Sequence, residues 1–67
     1  MMNPVRLFKV VLRIIDDDES RIVRPKVVAR TAEDAKGYAI KWFEAEGYAV
    51  QFQRIEPVYL REGTVVL

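Results

Sequence analysis

The chain predicts an α+β fold: a three-stranded, mainly antiparallel sheet of ββαβ build and order 2-1-3, one helix packed on one face, and a short C-terminal strand or hairpin. Three observations carry this. An apolar, β-branched run at Val5–Ile15 is too short and too branched to prefer a helix. A capped amphipathic segment follows at Thr31–Gly47. A third stretch of alternating polarity runs from Tyr48 to Glu56 and is expected to end at Pro57.

In the first strand Phe8, Val10, Leu12 and Ile14 make one uniformly apolar face. Leu7, Lys9, Val11, Arg13 and Ile15 make a mixed face, which predicts a central position. Asp16–Glu19 and Ser20 have turn chemistry and are expected to form a hairpin loop. The second strand is expected over Arg21–Arg30. Val23, Val27 and Ala29 share one face, and Arg24, Lys26, Val28 and Arg30 the other. Pro25 cannot donate to a ladder, which places this strand at an edge.

Thr31-Ala32-Glu33-Asp34 resembles a capping box with Asp in place of Glu or Gln. Glu33 and Asp34 also suit the positive end of the helix dipole. On a helical wheel Ala32, Ala35, Ala39, Trp42 and Phe43 share the arc expected to be buried, with Tyr38 on its flank. Trp42 is thus read as an aromatic core site, whose loss costs ~3–5 kcal/mol. Gly47 is the natural stop. Gly37, in mid-helix and facing solvent, and Ile40, off the buried arc, fit this reading poorly. In the third strand Val50 and Phe52 point one way, Gln51 and Gln53 the other. A right-handed crossover through the helix then sets the third strand on the far side of the first. The topology is similar to half of a ferredoxin-like fold, an architecture that assigns no function.

The 67 residues form one domain, 1–67, with 58–67 as a candidate strand-exchange or interface tail. So small a domain buries only about 60% of its unfolded surface. There is no Cys and no His, so disulfides, thiolates and imidazole chemistry are absent. With few staples to hand, self-association is expected. Lys9 and Arg13 interrupt the N-terminal apolar run and acids follow it, which argues against export. With no Cys and no span of ~20 apolar residues, the expected location is cytoplasmic.

The formal net charge of +1 hides segregation: +3 over residues 1–15, −4 over 16–19 and +4 over 20–30. Lys9, Arg13, Arg24, Lys26 and Arg30 are expected on the sheet face away from the helix, with Val11, Val28, Gln51 and Gln53 between them and no acid. Such a face suits nucleic acid or another polyanion. Against this, it carries no aromatic side chain to stack on bases. The alternative is a solvated face whose long side chains cover apolar patches.

The acidic cluster fails the EF-hand pattern, with Arg21 at the sixth position and Val27 at the twelfth, so no metal site is expected. Ser20, Thr31 and Thr64 have no His to activate them, and no glycine-rich phosphate loop is present, so neither catalysis nor a cofactor is expected. Thr64-Val65-Val66-Leu67 could add to a sheet edge, most simply this chain's own or a neighbour's.

The leading expectation is a small non-catalytic interaction module that forms a homodimer and binds a protein partner; the alternative is a nucleic-acid-binding module. The expected interface comprises Ile40, Val50, Phe52, Tyr59, Val65, Val66 and Leu67. It rests on an edge guarded at Pro25 and an edge left unguarded over Ala49–Gln53.

Overall fold

Residues 4–59 and Gly63 are described by the computed structural model of the chain. The elements are β1 (Arg6–Asp16), β2 (Glu19–Val23), β3 (Lys26–Ala29), α1 (Ala32–Ala45) and β4 (Ala49–Val58). β1 is the central strand. β4 runs antiparallel along one side of it, and β2 and β3 run antiparallel along the other. The α+β fold is the one the sequence predicts. The further C-terminal strand or hairpin falls largely outside the described residues.

The expected second strand is broken rather than continuous. Arg24 and Pro25 separate β2 from β3. Leu12↔Val23 and Lys9↔Lys26 nevertheless belong to one register, because the Val10 N–H still donates to the Pro25 carbonyl at 2.9 Å. Only the return bond is missing, since proline has no N–H. The β1–β2 hairpin is also tighter than expected. Asp16 pairs with Glu19, leaving only Asp17 and Asp18 in the turn. Asp17 has φ 53°, in the left-handed region that Asp and Asn tolerate better than most residues.

β4 passes through Pro57 instead of ending there. The Val10 bond shows that the backbone groups of Val10 face β3, so those of Lys9 face β4. Lys9↔Glu56 is therefore a bonded pair, and Phe8↔Pro57 is not. The nitrogen of Pro57 points outward, where a missing N–H costs nothing. A β-bulge lies between Val11↔Arg54 and Leu12↔Phe52, with Gln53 as the extra residue. The bulge reverses the alternation of β4. Ile55 turns inward, and Arg54 and Glu56 turn to the face opposite the helix.

α1 starts at Thr31, whose Oγ1 accepts from the Asp34 N–H at 3.1 Å. It ends in a Schellman motif. Tyr48 N–H donates to the Phe43 carbonyl, Gly47 N–H donates to that of Glu44, and Gly47 takes φ 95°. The accompanying contact is aromatic, with the Phe43 and Tyr48 rings 6.2 Å apart.

The core joins Phe8, Val10, Leu12 and Ala29 of the sheet to Ala35 and Ala39 of the helix. Val23, Val27, Ile40, Phe43, Val50, Phe52 and Ile55 pack around it. Leu12, Ile14 and Val10 are almost wholly enclosed, and burying each such side chain contributes about 1.5–3 kcal/mol. The buried arc of α1 differs from expectation. Ile40 packs on the core, and Lys36 lies with its Nζ 4.4 Å from the centre of the Phe52 ring. This rotation carries Trp42 outward, leaving it 61% exposed. Trp42 is therefore not a core residue.

Candidate functional site

Rotation of α1 leaves an apolar groove of about 470 Å³ between the helix and β3. Tyr38, Ala39, Trp42 and Phe43 form its helix wall, and Pro25–Val28 form its strand wall. Tyr38 and Trp42 stand one turn apart and are 58% and 61% exposed. The Trp42 ring is braced edge-on against Phe43, with centroids 4.9 Å apart. The one signal for this groove in the sequence is Ile40. A helix that buries Ile40 must rotate Trp42 out of the core.

The open face of the sheet reads as rows across the strands. Val28, Leu7 and Val58 form an apolar row, and Lys26, Lys9 and Glu56 the next. Arg24, Val11 and Arg54 follow, then Ile22, Arg13 and Gln51. Lys9, Arg13, Arg24 and Lys26 thus lie where the sequence reading put them. Arg30 does not, because it sits beyond β3 at the bend before α1. The bulge adds Arg54, and it also adds an acid to a face expected to have none. Glu56 Oε2 lies 3.1 Å from Lys9 Nζ, and its Oε1 accepts from Arg54 Nε at 2.7 Å. The Arg54 and Lys9 hydrogen bonds hold the Glu56 carboxyl below its ordinary pKa. The sequence does contain a sign of the bulge: after Val50 and Phe52 the apolar spacing lengthens to reach Ile55.

Val11 is only 2% exposed, although it lies on the face without a helix. Its same-face neighbours by register are Lys9, Arg13, Arg24 and Arg54. Long cationic stems laid over an apolar side chain account for that burial.

The expected interface residues fall into three groups. Ile40, Val50 and Phe52 are half-buried against the core of the single chain, so Ile40 does have a place within it. Tyr59 is exposed at one end of the sheet, near Val5, Leu7, Val28 and Val58. Val65, Val66 and Leu67 lie outside the described residues.

The two sheet edges are guarded differently from expectation. The backbone of Pro25 faces β1, so its missing N–H removes an inner bond and leaves the outer edge of β3 unblunted. On β4 the outward proline and the bulge are the guarding devices. Among the described residues no group of acids could hold a metal ion, and no helix is long and apolar enough to cross a membrane. Comparison with family models, curated proteins and solved structures gives no match to this chain.

Proposed function

We propose that this chain is a small non-catalytic interaction module that binds a protein partner through the groove between α1 and β3. The observation that carries the reading is the pair Tyr38 and Trp42, standing exposed over an apolar groove. Large aromatic side chains held rigidly at a surface are the typical anchors of protein interfaces. Full-length protein immobilised in native extract should retain a protein partner, and a Tyr38→Ser, Trp42→Ser variant should not. Equal retention by both proteins, or retention of nucleic acid alone, would overturn the reading.

Self-association belongs to the same proposal. The support is the apolar row Val28–Leu7–Val58 with exposed Val5 and Tyr59 beside it, a patch that a two-fold contact would cover on both copies. Light scattering at ~100 μM, well above the micromolar range of a specific contact, should show a dimer. A monodisperse monomer refutes it.

The second reading is nucleic-acid binding, favoured by the five cations and one acid that the described residues place on the open sheet face. It requires an affinity that falls steeply with salt, by a log–log slope of about 0.9 per phosphate contacted. Charge reversal at Arg24 and Lys26 should lower that slope. No binding to single- or double-stranded oligonucleotides at low salt removes this reading.

A further inference from the structure

We propose that the outer edge of β3 takes up an extended peptide as an added strand, with apolar side chains toward α1 and carboxylates toward the open face. This rests on the interaction-module reading and names the partner's chemistry. The bond from Val10 N–H to the Pro25 carbonyl turns the backbone of Pro25 and Val27 toward β1. Alternation then turns the N–H and C=O of Lys26 and Val28 outward. These two donors and two acceptors are unpaired by any described strand. They border the groove, so a peptide paired to them would send every second side chain toward Tyr38 and Trp42.

The remaining side chains of the peptide would emerge beside Lys26 and Arg24. Of the four cations from Arg21 to Arg30, Arg24 and Lys26 lie on that face, and the segment has no acid, which selects carboxylates there. The same charge argues against a second copy pairing edge to edge, because the cationic edges would meet. β4 is the poorer edge, since Pro57 removes an outward donor, the bulge interrupts its rim, and none of its residues lines the groove beside Tyr38 and Trp42.

The test uses the full-length chain and a capped peptide of about ten residues alternating valine and glutamate, long enough to span an edge strand. The control peptide has lysine in place of glutamate. With the glutamate probe at ten times its Kd, amide exchange at Lys26 and Val28 should slow about tenfold, and Trp42 emission should shift to the blue. N-methylation of the probe amides that face β3 should abolish both effects. Lys26→Glu should reverse the preference toward the lysine peptide.

Failure of the glutamate probe to bind, or equal binding by both peptides, overturns the assigned chemistry. Binding that shifts Trp42 but leaves exchange at Lys26 and Val28 unchanged overturns strand addition. Slow exchange at Lys26 as well as Val28 that grows with protein concentration in the absence of peptide assigns the edge to a second copy and also overturns it. None of these outcomes touches the capture experiment with the Tyr38, Trp42 variant, which alone decides whether the groove binds a protein.

Discussion

Replacing Trp42 by Ala is expected to cost about 1–2 kcal/mol, well short of the ~3–5 kcal/mol of a core aromatic site. A Trp side chain has up to about 250 Å² of surface to bury. At 61% exposure roughly 100 Å² of it is covered. At about 25 cal/mol per Å² that gives an upper figure near 2.5 kcal/mol. The β-carbon that alanine retains lowers it further. Leu12, fully enclosed between sheet and helix, is the contrasting site, and Leu12→Ala should cost about 2–5 kcal/mol. In a domain of this size 1 kcal/mol corresponds to about 4–8 °C in Tm. Urea unfolding followed by far-UV circular dichroism reads both variants, since Trp42→Ala removes the only tryptophan and with it that fluorescence. If Trp42→Ala proves as costly as Leu12→Ala, Trp42 is a core residue and the groove is not an open surface.

Three further outcomes follow from the same geometry. A β-carbon added at Gly37 meets nothing within 4 Å. Gly37→Ala should therefore raise stability by about 0.5–1 kcal/mol, and a lower Tm would show that something else occupies that space. Asp17, at φ 53° in the β1–β2 turn, should accept Gly without loss. Asp17→Val should cost about 1–2 kcal/mol in the urea midpoint, and a neutral valine variant would refute the turn geometry. Glu56 has its pKa lowered by Arg54 and Lys9, so its contribution is present above the ordinary 4.5 and is lost as pH falls through the lower folded value. The stability difference between the parent and Glu56→Gln should be small at pH 7, as for exposed ion pairs, and should vanish on acidification. A difference that grows toward low pH would refute the ion-pair assignment.

Much of the fold was legible along the chain because its signals are local. The uniform apolar face from Phe8 to Ile14 specified a strand, since only a sheet buries every second residue, and Leu7, Val11 and Ile15 on its other face specified the central position. Thr31 and Gly47 bounded the helix through groups that act on their own neighbouring backbone. The run Asp16–Ser20 marked the hairpin for the same reason, and pairing then narrowed its turn to Asp17 and Asp18. Pro25 pointed to an edge strand, and the strand is one, although the N–H that proline lacks would have faced β1. Lys9, Arg13, Arg24 and Lys26 could be assigned to one face because nothing interrupts the period of two within β1, and the β2–β3 register runs unbroken past Pro25.

Other features depended on contacts between elements. The rotation of α1 is set by how Ile40, Lys36 and Phe43 fit against Phe52 and the sheet, and a difference of one flank decides whether Trp42 is core or surface. Helical periodicity defines an arc but leaves its exact bearing to packing. The bulge at Gln53 depends on matching β4 to β1, and it alone brings Arg54 and Glu56 to the cationic face. Which side of a strand its backbone groups face is likewise a property of the pair. The sequence by itself put Pro25 within one outer strand and Pro57 at the end of the other. Only the tertiary pairing decided that Pro57 guards its edge while Pro25 leaves the edge of β3 open, because a missing N–H matters only in the direction it would have pointed.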